Sequence, residues 1–223
     1  MRIDIILPVN NPDILAEKDI EKLNLPNYIK CNIKLPNNKL LEITNQEEEE
    51  MAKPSIIEST IEAEKNGADA IIIYCFGEPG VDEARKLTDI PVLGIAAPAM
   101  HIARQLGKKF SVIASVDAHC PLIENLAEKF GLKDSISKSL SLNISPNNFN
   151  DDSLLIDIIL NKAEDFIVNQ KVDTFILGCG SMKLKSKMIK KAIQNKFGYN
   201  TQIVDPLPVS IYTAITMVHS DLS

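Results

Sequence analysis

Residues 67–77 (GADAIIIYCFG) and residues 171–181 (KVDTFILGCGS) repeat one pattern. In each stretch an aspartate is followed six residues later by a cysteine, and an apolar run lies between the two. An apolar run bounded by turn residues is typical of a strand buried in a parallel sheet. A helical pattern precedes each stretch, and a turn and a further helical pattern follow it. We therefore predict two similar α/β halves, each with a cysteine at the end of a buried strand, Cys75 in one and Cys179 in the other.

The same alternation extends along the whole chain. Short strand-like runs alternate with longer helical ones, which indicates βαβ units and parallel sheets. The predicted strands cover residues 2–8, 28–35, 70–75, 91–94, 110–115, 136–142, 174–178 and 202–205. The predicted helices cover residues 47–66, 80–87, 98–106, 120–130, 154–169, 181–196 and 208–219.

Composition excludes several classes of protein. The net charge of -6 and the scattered lysines argue against a nucleic-acid surface. The opening apolar stretch is too short for a membrane span and lacks the features of a signal peptide, so we predict a cytoplasmic protein. Four widely spaced cysteines without a CxxC motif indicate thiols rather than a zinc site or a disulfide framework. Glycine-rich phosphate loops are absent, so no nucleotide cofactor is expected. The acidic residues 46–50 are interpreted as the first turn of a helix, not as a metal site.

Two cysteines at equivalent strand ends suggest a specific chemistry. Ligands of open parallel sheets bind beyond the carboxyl ends of the strands. If the two halves face each other, the thiols of Cys75 and Cys179 reach one substrate carbon from opposite sides, which stereoinversion requires. We expect a helix to begin directly after each cysteine and to lower the thiol pKa from its usual ~8.5. The alternative is that each cysteine is an inert, buried, small apolar residue.

Three segments then carry a resemblance to a known family. Residues 75–85 (CFGEPGVDEAR) with residues 90–95 (IPVLGI) resemble the first active-site segment of the Asp/Glu/hydantoin racemase family, and residues 178–182 (GCGSM) resemble the second. The CFGEPG segment is most similar to that of hydantoin and allantoin racemases. Aspartate and glutamate racemases typically carry a Cys-Asn-Thr segment, which this chain lacks. Residues 7–11 (LPVNN) and 97–98 (AP) depart from the usual hydantoin racemase pattern, which leaves the substrate open.

The resemblance implies a fold and an activity. The fold is α/β, with two pseudo-symmetric half-domains, each a short parallel sheet flanked by helices, and an active site in the cleft between them. The first half-domain comprises residues 1–96 plus 206–223 and the second residues 97–205. The implied activity is cofactor-independent, metal-free racemisation of a small hydantoin-type amino-acid derivative by Cys75 and Cys179, and the implied assembly is a homo-oligomer. An aspartate or glutamate racemase, a maleate-isomerase-like enzyme and a non-catalytic small-ligand binder remain alternatives.

Further residues are expected near the substrate because they follow strand ends or flank the cysteines, and the resemblance also covers residues 10–11 (NN) and 204–206 (VDP). Asn10 and Asn11 offer side-chain amides but also suit a turn before a proline. Ser115 is interpreted as their counterpart in the second half. Cys120 and His119 are adjacent on a helix start and point in different directions, so we do not expect a Cys–His nucleophile pair. The predicted substrate-binding residues are Asn10, Asn11, Phe76, Gly77, Ser115, Gly180, Ser181 and Asp205.

Overall fold

The computed structural model describes residues 1–145, 148–149 and 151–222. The elements in chain order are β1 (Arg2–Ile6), α1 (Glu17–Glu21), β2 (Lys30–Lys34), α2 (Gln46–Lys65), β3 (Ala70–Ile73), α3 (Val81–Ala84), β4 (Val92–Gly94), α4 (Ala96–Leu106), β5 (Phe110–Ala114), α5 (His119–Lys129), β6 (Leu140–Ser141), α6 (Asp152–Val168), β7 (Thr174–Leu177), α7 (Ser186–Phe197), β8 (Gln202–Val204) and α8 (Pro206–His219). No helix among the described residues is long and apolar enough to cross a membrane.

The chain forms two compact units. One comprises Met1–Ile95 together with the chain from Leu207 onward, and the other is the continuous segment Ala96–Pro206. Each unit contains one parallel sheet of four strands, in the order β2-β1-β3-β4 in the first and β6-β5-β7-β8 in the second. The α/β class and the two parallel sheets flanked by helices are confirmed.

The central strands are buried, as their apolar composition predicts. All residues of β3, β5 and β7 are buried, and β1 is buried after Arg2. Polar residues are also buried in these strands, and one of them is charged: Asp4 of β1 is a fully buried carboxylate. It is paired with Arg2 at 2.8 Å and accepts a hydrogen bond from Asn32 Nδ2 at 3.0 Å. A buried charge is tolerated when it is paired and hydrogen-bonded in this way.

Each predicted strand has an observed counterpart, but one is much shorter than expected. The run at residues 136–142 contributes only β6, Leu140–Ser141, and Ile136 forms an isolated bridge with Phe110. The residues in between are held by one backbone hydrogen bond, from Ser137 N to Phe110 O at 2.7 Å, and by side chains: Ser111 Oγ donates to Lys138 O, and Ser137 Oγ donates to Gln170 Oε1. The short helix α1 was not predicted, since five residues are too few to show a helical period.

Candidate active site

Cys75 and Cys179 occupy equivalent positions in the two sheets. In the first unit Ile73 of β3 is in register with Ile6 of β1, and Cys75 follows Ile73 by two residues. In the second unit Leu177 of β7 is in register with Ile113 of β5, and Cys179 follows Leu177 by two residues. The residue before each cysteine makes the same contact: Tyr74 N donates to Ile6 O, and Gly178 N donates to Ile113 O, both at 2.9 Å.

Each cysteine also opens a four-residue turn. Glu78 N donates to Cys75 O at 3.1 Å, and Met182 N donates to Cys179 O at 3.0 Å. Both cysteines are partly exposed, although the strand residues before them are fully buried. The two cysteines therefore lie at the edge of the hydrophobic cores, just beyond the carboxyl end of a central strand, which is where ligands of parallel sheets bind.

The prediction that a helix begins directly after each cysteine is wrong. After Cys179 the chain forms only the short 3₁₀ turn Gly180–Met182, and α7 begins at Ser186. Leu184 interrupts the helical path because it has a positive φ of 62°. After Cys75 the single-turn helix α3 begins at Val81. No α-helix therefore begins directly after either cysteine, and the only helical turn there is the three-residue 3₁₀ turn for which Cys179 is the N-cap.

Backbone donors are available beside the first cysteine. The N–H groups of Phe76 and Gly77 donate to no acceptor within the described part of the chain. Unpaired backbone donors in a turn form a concave site for a carbonyl oxygen or an anion. The Phe76 side chain is buried and anchors the turn. Gly180 and Ser181 occupy the equivalent positions of the second turn.

Two carboxylates that were not singled out from the sequence lie at the first turn, one belonging to the turn and one reaching it from α2. Glu78 is buried, has a φ of 55°, and its carboxyl group lies against Gly94, where a Cβ would overlap it. The carboxylate of Glu49, from the first turn of α2, lies where a Cβ of Gly77 would be. Burial raises the pKa of Glu49, and the neighbouring Glu50 raises it further while Lys53 opposes the shift. The acidic run is a helix start, as predicted, but one of its members also reaches the Cys75 turn.

The second turn is held by Asp205. This residue is buried, and its Oδ2 accepts a hydrogen bond from Leu184 N at 2.5 Å. Met182 is fully buried in the core of the second unit and anchors the same segment. Asp205 thus fixes the backbone that follows Cys179. The sequence predicted Asp205 only as a substrate contact and did not predict this role.

Ser115 and His119 form a hydrogen-bonded pair in the second unit. Ser115 Oγ and His119 Nδ1 are 3.1 Å apart, and Ser115 is fully buried. The interpretation of Ser115 as the counterpart of Asn10 and Asn11 is wrong. The registers Ile6↔Ile73 and Ile113↔Leu177 make Pro8 the counterpart of Ser115.

The two asparagines have different environments. Asn11 is used in a turn, since its Oδ1 accepts from Asp13 N at 3.1 Å and its Nδ2 donates to Leu41 O at 3.2 Å. The side chain of Asn10 is exposed, and its backbone N donates to Leu40 O at 2.8 Å. The turn chemistry considered for this pair therefore applies to Asn11.

The other two cysteines are held as thiols. Burial, with a smaller effect of Asp4, raises the pKa of Cys31 to about 11. Burial also raises the pKa of Cys120, and the nearby Asp117 and Glu124 add to the shift. The Cys120 sulfur is 3.9 Å from Ser139 O. Within residues 1–145, 148–149 and 151–222 no group of three or more His, Cys, Asp or Glu side chains is arranged to hold a metal ion.

The fold defined by these two sheets is that of known racemases. An allantoin racemase from Klebsiella pneumoniae superimposes with a TM-score of 0.88 over 100% of this chain and 89% of that chain, at 19% sequence identity. Identity at this level shows a shared fold.

The sequence match extends this relation to the family. Residues 40–214 match the Asp/Glu/Hydantoin racemase family, so the chain belongs to this family and is an isomerase of the racemase class. A hydantoin racemase from Pseudomonas sp. (strain NS671) is 24% identical over 172 residues, which cover 77% of this chain and 67% of that protein. A hydantoin racemase from Rhizobium meliloti is 29% identical over 151 residues, which cover 65% of this chain and 61% of that protein.

Proposed function

We propose that the protein racemises a small hydantoin-type amino-acid derivative, with Cys75 and Cys179 as the two acid–base groups. The observation that carries the proposal is their equivalence: each follows a central strand by two residues and opens a four-residue turn. Cys31 and Cys120 lack this placement and have raised pKa values, so they are poor bases near neutral pH.

The proposed reaction needs no cofactor. The thiolate of one cysteine removes the proton from the stereogenic carbon, and the thiol of the other delivers a proton to the opposite face. The C–H bonding pair is delocalised into the adjacent carbonyl as an enolate, and the new C–H bond returns it to carbon. At the end the two cysteines have exchanged protonation states, and the reverse reaction uses the same groups in exchanged roles. The N–H groups of Phe76 and Gly77 are proposed donors to the enolate oxygen.

Glu49 favours a ring with N–H groups over an amino-acid dicarboxylate. Its carboxylate lies against Gly77, beside the proposed N–H donors. An ionised carboxylate of an amino-acid substrate is an acceptor only and has no proton to donate to this group. A hydantoin or ureido N–H could instead donate a hydrogen bond to this carboxylate. The names of the curated relatives, hydantoin racemases, support the same substrate class.

The remaining predicted site residues are proposed either to contact the substrate directly or to support the site indirectly. Gly180 and Ser181, in the turn after Cys179, are proposed as backbone contacts to the substrate, by analogy with Phe76 and Gly77. Asn10 is proposed as a side-chain contact because its amide is exposed. Asn11 and Asp205 are proposed to support the site indirectly, through the backbone groups they bind.

Proton NMR in D₂O with single enantiomers tests the proposal. The panel contains 5-substituted hydantoins, allantoin, aspartate and glutamate, and optical rotation is followed in parallel. We expect loss of the α-proton signal together with loss of rotation for a hydantoin or allantoin. Cys75→Ala and Cys179→Ala should each reduce racemisation by at least 10²–10⁴-fold, roughly the contribution of one acid–base group. The matched controls Cys31→Ala and Cys120→Ala should retain it.

Two results would contradict the proposal. Racemisation of aspartate or glutamate, with none of the ring compounds, would reject the substrate class. Racemisation at the wild-type rate in either Cys75→Ala or Cys179→Ala would reject the two-cysteine mechanism.

A further inference from the structure

The Ser115–His119 pair lies at the end of the sheet from which Cys179 emerges. Ser115 directly follows β5, and His119 is the first residue of α5. The hydroxyl and the imidazole Nδ1 are 3.1 Å apart, and the serine is fully buried. A buried hydroxyl normally has a hydrogen-bond partner, and here the partner is a residue that can act as both donor and acceptor.

The strand register relates this pair to Cys179. β5 and β7 are neighbours, and their last register pair is Ile113 with Leu177. Ser115 and Cys179 each follow that pair by two residues, on strands whose axes lie about 4.8 Å apart. The hydrogen bonding between β5 and β7 continues one residue beyond the Ile113–Leu177 pair, because Gly178 N donates to Ile113 O.

The first unit has no equivalent of this pair. The position that matches Ser115 is Pro8, which has neither a hydroxyl group nor a backbone N–H. The two cysteines are therefore matched in backbone geometry but differ at this neighbouring position.

We propose that His119 is a positioning residue for Cys179, and that it acts by orienting the hydroxyl of Ser115 towards the sulfur. This inference rests on the proposed function, in which Cys179 must alternate between thiolate and thiol. A serine hydroxyl has one proton to donate and two lone pairs to accept with. When His119 Nδ1 carries a proton, it donates to Ser115 Oγ, and the hydroxyl proton is donated to the thiolate.

The same Ser115–His119 pair can also form a hydrogen bond with the protonated, thiol state of Cys179. When the proton of the neutral imidazole is on Nε2, Nδ1 accepts the hydroxyl proton, and Ser115 Oγ accepts from the thiol S–H. A change of histidine tautomer and a rotation of one hydroxyl thus match both states of Cys179. Cys120 is adjacent to His119 in the sequence, but its sulfur lies 3.9 Å from Ser139 O. We therefore do not assign Cys120 as the hydrogen-bond partner of Ser115.

Alkylation of the full-length protein by iodoacetamide at about neutral pH tests the inference, with the modified Cys75 and Cys179 peptides quantified separately by mass spectrometry. His119→Ala should slow alkylation of Cys179 about tenfold, the effect of losing one hydrogen bond to a charged group. Cys75 is the internal control and should react at its wild-type rate. His101→Ala is the matched histidine control, because His101 is an exposed residue of α4.

Two further variants separate positioning from a packing role. Ser115→Ala should slow alkylation of Cys179 as much as His119→Ala does. In the double variant the alkylation rate should be no lower than in either single variant, because the two residues act as one unit. His119→Asn places an amide near the position of Nδ1 and should restore at least part of the rate. A merely structural role would instead affect both cysteines and would not be rescued by asparagine.

The outcomes distinguish this inference from the proposed function because alkylation needs no substrate. A Cys179 rate at or above wild type in His119→Ala, or equal slowing of Cys75 and Cys179, would overturn the positioning role and leave racemisation by two cysteines intact. Selective slowing of Cys179 supports the positioning role, even if no compound of the panel is racemised and the proposed function fails.

Discussion

Gly77 lies two residues after Cys75, and Gly178 directly precedes Cys179. A side chain added at Gly77 would meet a different kind of neighbour from one added at Gly178. A Cβ at Gly77 would overlap the Glu49 carboxylate, the mobile end of a long side chain. A Cβ at Gly178 would meet Val112 and lie 2.8 Å from the backbone oxygen Ile113 O. The first neighbour can rotate away, whereas the second belongs to the sheet.

We therefore expect the two alanine variants to differ in stability. Gly178→Ala should lower the free energy of unfolding by about 1–3 kcal/mol, as overpacking of a core does, and Gly77→Ala by less than about 1 kcal/mol. Urea denaturation followed by circular dichroism measures both. The double variant Glu49→Ala/Gly77→Ala is the control, since removal of the carboxylate should restore the stability lost in Gly77→Ala. A larger loss for Gly77→Ala than for Gly178→Ala would show that Glu49 cannot move.

The first turn of α2 contains two neighbouring carboxylates with opposite electrostatic environments. Asn45 caps the helix by accepting from Glu48 N at 3.0 Å, and Glu48 Oε2 accepts from Thr44 N at 2.6 Å and from Thr44 Oγ1 at 2.9 Å. The hydrogen bond from the Thr44 backbone is the main cause of a lowered pKa of Glu48. The pKa of Glu49 is raised, mainly by burial.

These shifts predict opposite effects of glutamine substitutions. Because the folded pKa of Glu48 is lowered, its ionised form adds stability above the ordinary pKa of 4.5, and this stability is lost as the pH falls through the lowered value. The folded pKa of Glu49 is raised, so its contribution is present below 4.5 and is lost as the pH rises through the raised value. Glu48→Gln should therefore destabilise the protein near neutral pH and Glu49→Gln should stabilise it.

Urea denaturation at about pH 7 and about pH 4 measures both effects, and the difference between each variant and the wild type should shrink at the lower pH. Equal effects of the two substitutions at neutral pH would contradict the assignment.

Most elements of the fold could be predicted because their signals are local. Apolar runs marked the strands, and the acidic run marked the start of α2. The helix after Cys179 was misplaced because nothing in its local sequence shows that Leu184 takes a positive φ. That conformation accompanies the hydrogen bond from Leu184 N to Asp205, a contact between distant parts of the sequence.

The same distinction applies to the candidate site. Cys75 and Cys179 stand out because their segments repeat and resemble a family. Glu49 and His119 were not assigned to the site, since their places depend on contacts with Gly77 and Ser115 that no motif contains. A serine four residues before a histidine at a predicted helix start was the available signal for the pair, but this spacing alone does not show that the two side chains meet.

At the scale of the whole molecule, the two units differ in how the chain builds them. The second unit is one continuous segment, Ala96–Pro206, whereas the first takes residues from both ends of the chain. α8 returns from the far end of the sequence to the first unit, and Leu207 and Ile211 in this helix are almost completely buried. The first unit therefore depends on residues from Leu207 onward as well as on Met1–Ile95.

Removal of residues 207–223 should consequently affect the units unequally. Exposure or loss of two buried aliphatic side chains costs about 1.5–3 kcal/mol each, a large part of the roughly 5–15 kcal/mol that stabilises a typical domain. In hydrogen exchange followed by mass spectrometry, the truncated protein should lose protection in β1 and β3, while β5 and β7 keep theirs. A conservative control is Ile211→Val in the full-length chain, which should cost only about 0.5–1.5 kcal/mol and leave both sheets protected.

Two outcomes would contradict this prediction. Equal loss of protection in the two sheets of the truncated protein would show that they unfold as one cooperative body. Unchanged protection in both sheets would show that α8 adds nothing to the stability of the first unit.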